Sequence, residues 1–99
     1  MIVFAVEALE DLERIFDFNF ERDPATALQH VRRIRDAVLI LEAHPEIGRK
    51  AGSGSTLREL VISRGNSGYI ALYEHAVAEG MIPVAALRHP REAGYRDEG

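Results

Sequence analysis

Residues 57–95 constrain the fold most. They hold three short runs rich in Val, Ile, Leu and Tyr, at 57–63, 68–75 and 82–89, separated by segments that contain Gly and Asn. Runs of this length between such turns predict an antiparallel three-stranded meander. Alternation with period two then divides each strand between two faces. Leu60 and Ile62 form one set on the first strand, Ile70 and Leu72 on the second, Val84 and Ala86 on the third. One face should meet helices. The other is expected to carry Tyr69, Tyr73 and His75. Pro83 suits the start of a strand or a local edge.

The chain before the meander supplies the cover. Residues 1–6 are apolar and β-favouring, so they predict one strand. They carry no basic segment, and acids follow at once, which argues against a signal peptide. The period then changes. Leu9, Leu12, Phe16 and Phe20 recur at spacings of three and four, the mark of a helical face. Ile15 and Phe18 widen that apolar side. Phe18 cannot share the Phe16/Phe20 face, which makes it a candidate for contact with a partner. Glu7, Glu10, Asp11 and Glu13 crowd the first turns, where the helix dipole favours negative charge.

Asp23-Pro24 punctuates the chain. Asp23 can cap a helix and Pro24 suits its first position. A second helical face follows in Leu28, Val31, Ile34, Val38 and Leu41, opposite a solvated side of Arg32, Arg33, Arg35 and Asp36. His44-Pro45 should end this helix, because the residue before proline avoids helical geometry. So short a join makes the two helices an antiparallel hairpin. Residues 44–56 read as a loop. Its Gly/Ser stretch lacks the spacing of a phosphate-binding loop and reads as a plain connection. The fold class is therefore α+β, in the order β-α-α-β-β-β, with a helical hairpin packed on a small antiparallel sheet.

Composition limits what such a fold can do. The chain has 99 residues, enough for a single domain over 1–99. Cysteine is absent, which excludes disulfides and thiolate metal sites. His30, His44, His75 and His89 lack metal-ligand spacing, so neither a metal nor another cofactor is expected. No apolar run reaches the ~20 residues that span a bilayer, and a cytoplasmic location is the default expectation. The net charge of −4 argues against broad, non-specific binding to nucleic acid, which needs an excess of positive field, and no sequence-specific DNA binding by the chain alone is expected. Arg88, Arg91 and Arg96 still make a local basic corner near the end of the chain.

Taken together, Asp23-Pro24, His44-Pro45-x-x-Gly48-Arg49, Leu57-Arg58-Glu59-Leu60, Gly68-Tyr69-x-x-Leu72-Tyr73 and Arg88-His89-x-Arg91-Glu92-x-x-Tyr95 resemble the RelE/ParE superfamily. These are toxins of type II toxin–antitoxin pairs. The resemblance runs from Phe4 to Tyr95 and implies a cognate antitoxin that folds onto the toxin. RelE-like members cut messenger RNA on the ribosome. They place lysines on the first meander strand and an Arg after the Gly-Tyr of the second. Here Leu60, Ile62 and Ile70 stand at those positions. Losing one electrostatic group of that kind costs ~10²–10³ in rate. The resemblance therefore leans toward ParE-like members, which poison DNA gyrase. The alternatives are a RelE-like ribonuclease and a degenerate toxin that only binds its antitoxin.

The candidate functional cluster is Arg58, Arg88, His89, Arg91 and Tyr95. His can serve as acid or base near neutral pH, and Tyr can donate a proton or stack. The competing reading is structural: Arg91 solvated beside Glu92, Tyr95 packed on the sheet, and Arg58 paired with Glu59. Leu9, Leu12, Phe16, Phe18, Phe20, Tyr69 and Tyr73 are the candidates for antitoxin contact.

Overall fold

A computed structural model describes residues 1–62, 68–75 and 80–89. The elements run β1 (Ile2–Phe4), α1 (Val6–Arg22), α2 (Pro24–Leu39), a 3-10 turn (Ile40–Glu42), β2 (Arg49–Lys50), β3 (Leu57–Ile62), β4 (Tyr69–Glu74) and β5 (Ile82–Arg88). The sheet order is β1-β5-β4-β3-β2. β3, β4 and β5 form the expected antiparallel meander. The full sheet is mixed, because β1 joins β5 in parallel, Ile2 opposite Ile82.

Pro83 thus lies within a central strand, near its start. The backbone groups that reach β1 belong to its neighbours: Ile82 N–H donates to Met1 O at 2.8 Å, and Ala5 N–H donates to Val84 O at 3.0 Å. The imino nitrogen falls on the other side, past the last β4 pair, Tyr73–Val84, so the missing N–H breaks no ladder bond.

The helical hairpin forms as its punctuation predicts. Asp23 Oδ1 accepts from Ala25 N–H at 3.2 Å, and Pro24 occupies the first turn of α2. The faces differ from expectation. On α1 the fully buried residues are Ala8 and Ile15. Leu12 packs against the core, whereas Leu9 and Phe20 are about half exposed, at 52% and 49%. The stripe that meets the sheet is rotated by one residue from the Leu9/Phe16/Phe20 face. Ala8 permits close approach there, and the larger rings stay outside. On α2, Ala27, Ile34 and Val38 are buried and Leu28 is not.

The strand faces need a second correction. Tyr69, Ala71 and Tyr73 point into the core, and Ile70 and Leu72 are only partly buried. The register places Ile62 opposite Tyr69, Leu60 opposite Ala71 and Arg58 opposite Tyr73, so these six share the helix-facing side. On β5 the register slips between Leu72 and Tyr73, whose partners are Ala86 and Val84. Ala85 is therefore the extra residue of a bulge. The slip lets both Val84 and Leu87 reach the core, where strict alternation would have chosen Val84 and Ala86.

Residues 44–56 hold more than a loop. Arg49 and Lys50 form β2, antiparallel to β3 opposite Glu59 and Arg58. Residues 51–56 close that hairpin. Ala51 N–H donates to Leu57 O at 2.9 Å, and Leu57 N–H to Ser55 Oγ at 3.0 Å. Gly54 takes φ +77°, a left-handed conformation suited to glycine. Across the interface Ile34, Val38 and Leu41 meet Tyr73, Val84 and Leu87 in one buried cluster. Cutting any of its large aliphatic residues to Ala costs about 2–5 kcal/mol.

Candidate functional site

Of the predicted cluster, Arg58, Arg88 and His89 lie among the described residues, and Arg58 stands apart from the other two. Arg58 is the second residue of β3 and Arg88 the last of β5. Through the register, Arg58 stands level with Tyr73 and Arg88 with Ile70. They are thus separated by roughly 10 Å along the strands and roughly 10 Å across them. Arg91 and Tyr95 lie outside the described residues, as does Arg96.

At the Arg58 end the side chains build a clamp. The buried Tyr73 hydroxyl donates to Pro45 O at 2.7 Å and accepts from Gly48 N–H at 2.9 Å. Arg58 Nη1 donates to Gly48 O at 2.6 Å and to Glu46 O at 3.3 Å, and its Nε donates to His75 Nδ1 at 3.2 Å. Gly48 is locked on both sides of its peptide. A Cβ there would stand 2.6 Å from Glu59 O and 2.7 Å from the Tyr73 hydroxyl, closer than real Cβ atoms come. The His-Pro-x-x-Gly-Arg, Arg-Glu-Leu and Leu-Tyr motifs are therefore three parts of one interlock. Tyr73 is core, not partner surface. Glu59 pairs with Arg49, Nε to Oε1 at 3.1 Å, and not with its neighbour Arg58. That pair is exposed, worth about 0–1 kcal/mol.

The other end of the sheet is organised by Asp11, read from the sequence only as one of several acids in the first turns of α1. Asp11 Oδ2 accepts from Leu87 N–H at 2.9 Å and from Arg88 Nη1 at 3.0 Å; Oδ1 accepts from Arg14 Nη2 at 3.0 Å. One carboxylate thus pins α1 to the end of β5 and neutralises Arg88. Charge-assisted bonds of this kind are roughly twice as strong as neutral ones.

Beside it Tyr69 gathers a polar group that sequence reading missed. Asn19 Nδ2 donates to Ile15 O at 2.7 Å and to the Tyr69 hydroxyl oxygen at 3.2 Å. The Tyr69 hydroxyl also lies 3.3 Å from His30 Nδ1 and can donate to it when that nitrogen carries no proton. A neutral imidazole can accept that bond; an imidazolium cannot. The His30 environment suits the neutral ring. Its pKa falls below the ordinary histidine value, first through burial and then through the Arg33 guanidinium, with Asp23 opposing. The Tyr69 ring also makes edge-on contacts with His30 and with His89, at centroid distances of 6.3 and 5.9 Å. His89 follows β5 directly, so the cluster reaches the point where the chain leaves the sheet. Tyr69 is 4% exposed and, like Tyr73, is not on the outer face. Among the described residues no group of three or more potential metal ligands converges.

The lost cation positions can now be placed. Ile62 is buried and Leu60 packs against the core, so a lysine at either would be desolvated. Their outward neighbours Glu59 and Val61, and Ile70 and Leu72 beside them, carry no positive charge either.

A model of the ParE toxin of the type II toxin–antitoxin system, parDE, matches residues 2–94. The chain belongs to the ParE toxin family. A curated relative, Toxin RelE2 of Caulobacter vibrioides, is 34% identical over 88 residues, covering 89% of this chain and 92% of the relative. The solved chromosomal ParDE toxin–antitoxin system from P. aeruginosa shares the fold, with a TM-score of 0.74 at 23% identity, over 89% of this chain and 92% of that one. The ParE-family fold is thus two helices on a five-stranded mixed sheet, and membership implies a cognate antitoxin. No helix among the described residues is long and apolar enough to cross a membrane.

Of the residues expected to meet an antitoxin, Leu9, Phe18 and Phe20 are about half exposed. Phe16 stacks on Phe20 at 5.7 Å, and Arg22 lies over the Phe18 ring at 4.9 Å. Leu12 faces the core instead.

Proposed function

We propose that this toxin arrests growth by binding DNA gyrase, in the ParE manner, and that a cognate antitoxin neutralises it through the Leu9/Phe20 side of α1. One observation carries the reading. The β3–β4 surface has aliphatic or acidic residues where message cleavage calls for cations, and Arg88 is already bound to Asp11. Cleaving a phosphodiester needs a base for the 2′-hydroxyl, positive charge on the phosphorane and a proton donor for the leaving oxygen. An apolar surface grips a protein more readily than it stabilises such a transition state.

A supercoiling and cleavage-complex assay with purified toxin and gyrase tests the proposal. Inhibition of supercoiling, reversed by the antitoxin, is the expected result. The second reading is a ribosome-dependent ribonuclease. It draws on the 34% identical relative named RelE2 and on the Tyr69–His30–His89 cluster. Primer extension on ribosome-bound message decides between them: toxin-dependent cuts inside codons, with supercoiling untouched, replace the gyrase reading. A chain that binds antitoxin tightly yet arrests no growth is the degenerate toxin.

A further inference from the structure

We infer that the Arg58 end of the sheet holds a binding site for a single phosphoryl group, independent of the gyrase reading. A pocket of about 140 Å³ opens there, lined by Lys50, Ser55, Thr56, Leu57, Arg58 and His75. The β2–β3 register sets Lys50 directly opposite Arg58. Like charges facing each other across a strand pair are destabilising, and no carboxylate among the described residues pairs with either. Arg58 spends Nη1 on two carbonyls and Nε on His75, which leaves Nη2 without a partner among the described residues. Lys50 has no carboxylate partner among them either.

The remaining groups are donors too. A guanidinium can only donate, so His75 Nδ1 must hold its lone pair toward Arg58 Nε. That fixes the neutral tautomer with the proton on Nε2. Ser55 Oγ accepts from Leu57 N–H, which frees its own proton to donate. Glu74 beside the pocket accepts from the Thr56 hydroxyl at 3.1 Å, so the two cations exceed it by one charge. Four donors thus come from four segments: β2, the hairpin loop, β3 and the end of β4. A carboxylate offers two oxygens in one plane. A tetrahedral oxyanion offers three or four and suits donors arriving from several sides.

The test is a nitrogen–proton NMR titration of the whole chain near neutral pH with sodium phosphate, against sodium chloride at matched ionic strength. Saturable shifts at Lys50, Ser55, Arg58 and His75 with phosphate alone are expected. Lys50→Ala should weaken them about tenfold, as the loss of one charged hydrogen bond does. Lys50 is exposed, so the variant keeps the fold, and an unchanged spectrum away from the pocket checks this. Adenosine monophosphate and a short single-stranded oligonucleotide separate the sources. The acidic chain predicts that the monophosphate binds at least as well, whereas a tighter oligonucleotide keeps the chemistry and assigns it to a nucleic-acid backbone. Shifts that grow linearly, that chloride or acetate reproduce, or that Lys50→Ala leaves unchanged overturn the proposal.

Discussion

The two ends of the sheet use the same residue types for different work. At the β3 start, Arg58 and Tyr73 bind mostly main-chain groups of residues 45–48, with the His75 ring as a side-chain partner of Arg58, and the result is a rigid corner built largely on the backbone. At the β5 end, Arg88 and Tyr69 bind side chains, Asp11 on one helix and His30 and Asn19 on the hairpin. A main-chain acceptor neither titrates nor changes rotamer. A carboxylate or an imidazole does both. The first end is therefore expected to set stability, and the second to respond to its surroundings.

The largest effect should come from breaking the rigid end. Gly48→Ala puts a methyl group on the Glu59 carbonyl and the Tyr73 hydroxyl. Relief requires moving Tyr73, which frees the buried Gly48 N–H and Pro45 O. Overpacking and an unsatisfied buried group together should cost roughly 3 kcal/mol or more, read by urea denaturation. A loss under about 1 kcal/mol would mean that the clamp is not a rigid corner at all.

The second effect belongs to the other end. Asp11→Ala deprives the Leu87 N–H and Arg88 of their shared oxygen, and Arg14 of this contact. Arg88 is partly exposed, at 38%, so water recovers some of the loss. A destabilisation of about 2 kcal/mol is expected, with hydrogen exchange quickening at the end of β5 and staying slow around Gly48. Equal quickening at both ends would erase the distinction between them.

Parts of this arrangement were legible in the sequence and parts were not. Asp23-Pro24 and His44-Pro45 act through bonds within a few residues, so their effects could be read locally. The faces of β4 could not. Tyr69, Ala71 and Tyr73 alternate with Ile70 and Leu72, so both faces are apolar and period two separates them without ranking them. What ranks them is the Tyr73 hydroxyl reaching Pro45, twenty-eight residues away. The Ala85 bulge leaves no mark in composition, and β2 is two charged residues without a pattern. Arg58 and Arg88 looked like one cluster because residue type, not sheet position, grouped them. Asp11, Asn19 and His30 went unnoticed for the converse reason: each is ordinary on its own helix and gains a role only from what packs against it.

The smallest effect is the one that most sharpens the contrast, because it separates the ends by pH. His30 has its folded-state pKa below the unfolded value of 6.5. Between those two values the unfolded chain binds more protons, so stability must rise with pH. The His30 contribution is complete above about 6.5, shrinks as pH falls through that window, and levels off below the folded-state pKa. Protonation also turns Nδ1 into a donor and leaves the Tyr69 proton without its acceptor. Other groups titrate nearby, so the useful quantity is the difference between wild type and His30→Gln, measured by denaturation from pH 7.5 down to pH 5 (settings chosen to bracket roughly one unit above and more than one below the free imidazole). The wild-type curve should fall more steeply than that of the variant, and Tyr69→Phe should flatten most of the excess by removing the hydroxyl that demands a neutral ring. Parallel curves for wild type and His30→Gln would show that the Tyr69 group does not respond to protons through His30, and the division between a rigid end and a responsive end would have to be given up.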